Sequence, residues 1–156
     1  ANGNPLTGDV TLTNVGELDV STDHIELYEV RFGSRLEMTQ HKSGRTQVGH
    51  RAILPIRLVK RIDRATPELY QALTMNATIV GDIKIFETAA DDGHIRHRFT
   101  VTFAGARITA IESHCPDSWL RDTRLPWEQV ELIPHTITYA DLVHDRAHTD
   151  SWSEAV

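Results

Sequence analysis

The stretch Ile53–Asn76, ILPIRLVKRIDRATPELYQALTMN, joins a predicted strand to the best predicted helix of the chain. Its first residues form an apolar and largely β-branched run of the kind found in buried strands. Further along, Thr66 predicts an N-cap, and Pro67 predicts the first helical residue, because the amide at that position has no partner within the helix. A helix this short is unstable alone in water, so we expect it to pack on a sheet.

The predicted helix carries its apolar residues at helical spacing. Leu69 and Leu73 lie four residues apart with Tyr70 beside them, which predicts a face packed against the body of the domain. Glu68 places a negative charge in the first turn, where the helix dipole favours it. Asn76 predicts a left-handed residue that ends the helix. The same pattern also fits an ordinary packing helix in any mixed β domain.

Strand patterns separated by turns occupy much of the remaining chain. Polar and apolar residues alternate over Asp23–Met38, where Tyr28 and Gly33 predict a bulge or a bend. Thr78–Thr88, an Asp-Gly turn and a returning strand predict a hairpin, and a change of parity predicts a bulge at Gly105.

The last predicted strand or strand pair covers Trp127–Val143. Pro134 predicts an edge or a bulge there, because proline cannot donate to a strand ladder. With one helix, these patterns predict a small barrel or a sandwich in place of alternating β-α units. A chain of 156 residues fits one domain.

Charge and composition exclude several classes of protein. The chain has 22 acidic and 16 basic residues and a net charge of −6, which argues against binding to a nucleic-acid backbone. Its single cysteine, Cys115, forms no internal disulfide, and we expect it to be inert. No apolar run approaches the roughly 18 residues of a membrane span. We therefore expect neither a nucleic-acid partner nor membrane insertion.

The segment TQHKSGRTQVGHR, residues 39–51, is polar and basic on an acidic protein. Connections of this length without regular structure are uncommon and are usually functional or disordered. The segment is therefore either a surface loop or a docking arm. On the second interpretation, the candidate subunit-interface residues are His41, Lys42, Arg45, Gln47, His50 and Arg51.

A search for reactive groups gives little. The chain contains no glycine-rich phosphate loop, no nucleophile elbow and no paired cysteines. Of the nine histidines, His94 and His97 flank a predicted hairpin, and His144 and His148 have the spacing to share a helical face. A zinc site needs three or four converging ligands, so we expect no metal, no cofactor and no catalytic residue. Trp152 is expected to anchor the end of the chain.

Three sequence elements occur in a fixed order along the chain. The first is Ile62-Asp63 followed by Thr66-Pro67-x-Leu69-Tyr70-x-Ala72. The second is Trp127-Glu128-Gln129-Val130-Glu131-Leu132 with Ile137-Thr138-Tyr139, and the third is His148-Thr149-Asp150-Ser151-Trp152. Their order and spacing, over roughly residues 25 to 152, resemble the Hcp family, the tube protein of bacterial type VI secretion.

The resemblance implies a mainly β fold, a small β-barrel formed by two packed antiparallel sheets with one short α-helix, in a single domain over residues 1–156. It implies a structural subunit, not an enzyme, whose homo-hexameric rings stack into a tube. The implied partners are a VgrG-type spike, contractile sheath proteins and effector proteins in the lumen. It also implies a protein that is cytoplasmic before firing and is then secreted by the type VI system, and no Sec signal peptide is visible.

Two details of the family pattern bear on this chain. Members begin with a short strand before a turn like Asn2-Gly3-Asn4-Pro5, and no such strand is visible from Ala1, so one sheet edge is left unassigned. Members also carry an extended loop at 39–51 that reaches a neighbouring copy, which favours the docking arm. The alternative to a tube subunit is a small-ligand-binding or hydrolytic β-barrel, with its ligand in the barrel mouth.

Overall fold

A computed structural model describes residues 5–40, 43–44, 46–117, 119 and 125–152. Within these residues the chain forms one α-helix, α1 (Thr66–Thr74), and otherwise strands and turns. No helix in this part of the chain is long and apolar enough to cross a membrane. The strands are β1 (Asn14–Val15), β2 (Leu18–Asp19), β3 (Leu27–Arg31), β4 (Ser34–Gln40), β5 (Thr46–Ile53), β6 (Ile56–Arg61), β7 (Thr78–Thr88), β8 (Ile95–His114), β9 (Trp127–Ile133), β10 (Thr136–Asp141) and β11 (Arg146–Ser151).

A seven-stranded antiparallel sheet forms the body, in the order β11-β10-β8-β9-β6-β3, with β7 also paired to β8. The 20-residue strand β8 belongs to both halves of this sheet, the half with β10 and β11 and the half with β9, β6 and β3. It pairs with β10 over Phe99–Ala104 and with β9 over Arg107–His114, while β7 runs along its other side. The predicted mainly β fold with one helix is confirmed, and the two predicted sheets are continuous through β8.

Gly105 marks the bend between the two halves of β8. It has a φ of 60°, a left-handed conformation that suits glycine. The ladder to β7 changes register here, because Ile79 pairs with Ala106 and Gly81 with Phe103. The bulge predicted at Gly105 is therefore confirmed. It bends β8, so that the strand pairs with β10 before the bulge and with β9 after it.

The main core lies inside the curl of the sheet. Ile56, Ile83, Val101 and Ile137 are all buried in one cluster, although they belong to β6, β7, β8 and β10. Strands distant in the sheet order meet at this cluster, so the sheet must curve around it. A second cluster lies beneath α1 and contains Leu69, Ala72, Ile108 and Val130.

The start of α1 differs from the prediction. Ala65 occupies the N-cap position and makes no side-chain capping bond, so the assignment of Thr66 as the cap was wrong. The Thr66 hydroxyl oxygen instead accepts the Asp63 N–H at 3.0 Å, and the hydroxyl donates to the buried Glu128 Oε1 at 2.9 Å. Asn76 has a φ of 50°, which confirms the left-handed end of the helix.

The region expected to be an extended loop is largely regular. β4 and β5 pair only with each other among the described residues, and they form a two-stranded ribbon, here called the ribbon (Ser34–Ile53). The alternating segment before it is split between the body and the ribbon. A bulge lies at Tyr28 between two register positions of β3, and Gly33 separates β3 from β4.

The final strand was not predicted. Pro134 separates β9 from β10, as expected for a residue that cannot join a ladder. Beyond it, Arg146–Ser151 forms β11 and pairs with β10 along its whole length. His148 therefore lies in a strand and His144 in the turn before it, which contradicts a shared helical face.

Candidate assembly interface and supporting ion pairs

The ribbon exposes both faces of strand β4 over Ser34–Met38. Neighbouring residues of a strand point to opposite faces, yet every residue of Ser34–Met38 is exposed. Leu36 is 52% exposed and Met38 is 61% exposed. A two-stranded hairpin is marginally stable by itself in water. A surface that covered Leu36 and Met38 would therefore stabilise the ribbon.

The predicted interface residues have separate environments. His50 and Arg51 lie in β5 and are exposed, and Gln47 lies in the same strand with its side chain outside the described residues. His41, Lys42 and Arg45 also lie outside the described residues. Arg51 is engaged within its own chain, because its guanidinium binds Asp150 Oδ1 at 2.7 Å.

The base of the ribbon is attached to the body. Ile53 is buried in the main core, and the Leu54 N–H donates to the Gly33 carbonyl at 2.9 Å. Asp150 belongs to β11 and is 5% exposed, so its carboxylate lies under the ribbon and not in solvent. Asp150 belongs to the His148–Trp152 motif and follows the His144 and His148 pair in the sequence, and neither pattern predicts its contact with Arg51.

The helix residues named from the sequence lie on two faces of α1. Leu69 is buried against Ile108 and Val130, and Leu73 is half-buried beside them. Tyr70 is exposed, and its hydroxyl shares a hydrogen bond of 2.8 Å with Ser113 Oγ. Trp152 is half-exposed, and its backbone N–H donates to the His135 carbonyl at 3.1 Å. That backbone bond fixes the end of β11 at the turn between β9 and β10.

A buried ionic cluster, defined by Lys60, Asp63 and Glu128, lies beneath the start of α1. Lys60 Nζ is 2.7 Å from both Asp63 Oδ1 and Glu128 Oε1. The side chains of all three are at most 1% exposed. Since burying a charge is costly unless it is paired and hydrogen-bonded, the three groups require one another.

Further hydrogen bonds satisfy the ionic cluster. Lys60 Nζ also donates to the Arg61 carbonyl at 2.7 Å, and the Ala65 N–H donates to Asp63 Oδ1 at 3.0 Å. The Ser113 hydroxyl donates to Glu128 Oε2 at 3.3 Å. The cluster thus joins β6, β8, β9 and the turn before α1. Asp63, Thr66 and Glu128 carried the family resemblance, and this cluster supplies a physical reason for those residue types.

The N-terminal segment is held by the same turn. Asp63 Oδ2 accepts the Asp9 N–H at 2.9 Å, and two Arg64 nitrogens donate to the Gly8 carbonyl at 2.9 and 3.0 Å. A Cβ atom on Gly8 would lie 2.4 Å from Asp63 Oδ2, so the approach is too close for any side chain.

The histidines and acids do not converge. Within the described residues, no group of three or more His, Cys, Asp or Glu side chains could hold a metal ion. His97 stacks on Phe86 with ring centroids 5.1 Å apart, and burial lowers the pKa of His97, as does the nearby Lys84 ammonium. A hydrogen bond from His144 holds the pKa of Asp141 below its ordinary value. Asp141 also pairs with Arg98, so this group supports the β10–β11 turn.

A cavity of about 720 Å³ lies between the segment before β3 and strand β7. Its lining is mostly aliphatic and includes Leu6, Leu27, Ile79 and Ile83. Lys84 Nζ and His24 Nε2 meet beside it at 3.1 Å. The cavity is within the size range of small-molecule sites.

A family model described as "Type VI secretion system effector, Hcp" matches residues 7–140. The chain belongs to the Hcp family. The sequence elements that carried the resemblance lie mostly within that match, and Asp150 and Trp152 follow it. No curated protein sequence matches the chain.

Solved Hcp structures share the fold at low identity. Hcp1 from the E. coli EAEC 042 pathovar, as a double mutant, has a TM-score of 0.77 at 22% identity and covers 97% of this chain and 92% of its own. Secreted protein Hcp3 from Pseudomonas aeruginosa has a TM-score of 0.62 at 23% identity, covering 85% and 78%. Hcp1 from Salmonella typhimurium has a TM-score of 0.62 at 19% identity, covering 95% and 87%.

Membership of the Hcp family makes this chain a protein of the type VI secretion system. Hcp proteins are tube proteins secreted by that system, and the family is structural, not enzymatic. The ribbon is an exposed surface that carries apolar side chains, Leu36 and Met38.

Proposed function

We propose that this Hcp protein is a structural subunit of the type VI inner tube, whose copies close into hexameric rings that stack. The observation that carries the proposal is the ribbon, which presents Leu36 and Met38 to solvent and pairs with no other strand among the described residues. A neighbouring copy is the surface that would cover it. A head-to-tail contact of this kind generates a ring when its rotation closes.

The contact would rest on apolar and backbone groups more than on charge. Exposed ion pairs contribute only about 0–1 kcal/mol each, so the basic residues of the ribbon would set orientation and register. Leu36 and Met38 would supply the buried area. In the same proposal, His50 lies on the docking face, while Arg51 acts from the base of the ribbon.

The assembled tube would have the partners of its class. A VgrG-type spike would cap it, contractile sheath proteins would surround it, and effector proteins would occupy the lumen. The subunit would be cytoplasmic before firing and would leave the cell with the tube. Its contribution is to form a rigid wall, with no catalytic step of its own.

Native mass spectrometry tests ring formation directly. Six copies of 17.6 kDa give a closed ring of about 106 kDa. The double variant Leu36→Ser, Met38→Ser should remain folded by circular dichroism, because both residues are exposed, and should lose the ring. Met75, which is 68% exposed at the C-cap of α1, provides the control variant Met75→Ser, which should keep the ring. A parent protein that stays monomeric at micromolar concentration would refute the proposal.

The cavity beside β7 supports a second candidate, a small-ligand-binding protein. The aliphatic lining would take an apolar molecule, and Lys84 would hold an anionic end. A fluorescent fatty acid is a suitable probe, with Lys84→Gln as the variant that should weaken binding and Arg146→Gln, at the exposed start of β11, as the control. No saturable binding by the parent would remove this candidate without affecting the first.

A further inference from the structure

The Arg51–Asp150 ion pair connects the ribbon to the last strand of the body. Arg51 lies in β5 of the ribbon, and Asp150 lies in β11 of the body. The two side chains meet at 2.7 Å. Among the described residues this is the one ion pair between ribbon and body, since the other ionic contact of the ribbon, Arg35 with Glu37, is internal to it.

The two partners are unequal in burial. The Asp150 side chain is 7% exposed and that of Arg51 is 42% exposed. A carboxylate at such a depth needs a nearby positive charge. For Asp150 that charge must come from a side chain that lies directly above it. Arginine suits this position because its planar group makes directional bonds to a carboxylate.

Asp150 is itself rigidly placed. It pairs with Ile137 in the β10–β11 ladder, and Ile137 is fully buried in the main core. Two residues further on, the Trp152 N–H donates to the carbonyl of His135, which lies in the turn between β9 and β10. Asp150 is therefore a fixed point of the body, whereas the ribbon is attached through the chain near Ile53 and through Arg51.

The ribbon is long enough for its angle to matter. Thr46 lies seven residues from Ile53, about 23 Å along an extended strand. A rotation of about 20° at the base would displace Thr46 by about 8 Å. A second attachment at Arg51, two residues from Ile53, resists that rotation.

We propose that Asp150 is a positioning residue that sets the angle of the ribbon through Arg51. This inference rests on the proposed function, because a defined angle matters when the ribbon must meet the next subunit. It gives the Asp150-Ser151-Trp152 end of the chain a role in assembly: the last strand aims the ribbon without belonging to the docking face.

The angle can be measured separately from assembly. Nitroxide labels at Ser43→Cys and Val143→Cys, both exposed, report the distance from ribbon to body in a Cys115→Ser background. Labelled protein is diluted into unlabelled protein, and double electron–electron resonance gives the distance distribution. We expect one narrow distance in the parent and a distribution broadened by several ångströms in Asp150→Asn and in Arg51→Gln.

Arg35→Gln is the matched control. It removes the same charge from the same ribbon, but it breaks only the exposed pair with Glu37 at 3.3 Å. Its distance distribution should match that of the parent. Asp150→Glu keeps the charge and should restore most of the narrow distribution, which a merely structural defect would not do. An unchanged distribution in Asp150→Asn would overturn the inference.

Native mass spectrometry of the same variants gives the second readout. If the parent forms rings, we expect Asp150→Asn to lower the ring fraction at least tenfold, with Arg35→Gln unchanged. Normal rings from Asp150→Asn would overturn the role in assembly. If the parent forms no rings, the proposed function fails, and the distance distributions still decide whether Asp150 positions the ribbon.

Discussion

Replacing Lys60 by methionine would test whether the ionic cluster stabilises the packing of α1 on the sheet beneath it. Methionine retains much of the side-chain volume and removes the ammonium that lies 2.7 Å from Asp63 and from Glu128. Two buried carboxylates would then lack a counter-charge. Breaking a buried pair by removing one partner costs about 3–5 kcal/mol, so Lys60→Met should lower the free energy of unfolding by at least that amount.

Thermal unfolding monitored by circular dichroism gives the measurement. In a domain of this size, 1 kcal/mol lowers Tm by about 2–4 °C, so the expected loss is about 6–20 °C. Arg57→Met is the control, because it breaks a cross-strand pair of similar length, 2.9 Å to Glu131, whose arginine is half-exposed. That variant should lose only about 0–1 kcal/mol.

A second variant checks the cause of the loss. Lys60→Met combined with Glu128→Gln removes one of the two stranded charges and should recover part of the lost Tm. If Lys60→Met and Arg57→Met lose equally little, the cluster contributes no more than a surface pair, and the reasoning from burial is refuted.

Three further predictions concern stability. Leu69→Ala should lower the free energy of unfolding by about 2–5 kcal/mol in urea titration, and Leu73→Ala by less because Leu73 is only half-buried; equal losses would contradict the assigned face of α1. Gly8→Ala should cost about 1–3 kcal/mol, since its Cβ would meet Asp63 Oδ2 at 2.4 Å, whereas Gly33→Ala, with its nearest side-chain atom at 3.5 Å, should be nearly neutral. The lowered pKa of Asp141 means that its stabilisation is present above the unfolded pKa of 3.8 and is lost as pH falls through the folded value. Asp141→Asn should therefore lower Tm at pH 7, and its difference from the parent should shrink on acidification below 3.8; a constant difference would exclude this linkage.

Local rules recovered the features that depend on neighbours in sequence. The end of α1 at Asn76 and the bulge at Gly105 each follow from what one residue type permits the backbone to do. The Thr66 cap failed because its hydroxyl oxygen accepts the N–H of Asp63, before the helix. The hydroxyl proton is directed to Glu128, a residue 62 positions away that no local pattern identifies.

Strands β5 and β11 were missed because strands are recognised from the sequence by one buried, apolar face. Gly49, His50 and Arg51 of β5 are all exposed, and in β11 only Asp150 is buried, so neither strand shows a hydrophobic stripe. Lys60 and Glu128 were overlooked for a related reason. A charged residue in a strand is ordinarily assigned to solvent, and nothing in the sequence shows that two such residues face each other inside.

The sharing of β8 among three partners has a consequence for synthesis on the ribosome. The N-terminal part of the sheet, β3 and β6, is joined to β8 only through β9 among the described strands. β9 is made after β8, and its residue Leu132 pairs with Ile56 in β6 and with Ile108 in β8. A nascent chain that ends before Trp127 therefore leaves one edge of β6 without its partner. Bringing β9 back to β6 closes a long loop, and long-range pairing of this kind is slow. Until it forms, the unpaired edge of β6 favours aggregation. We expect the residues from Trp127 onward, about the last fifth of the chain, to control whether the whole protein folds.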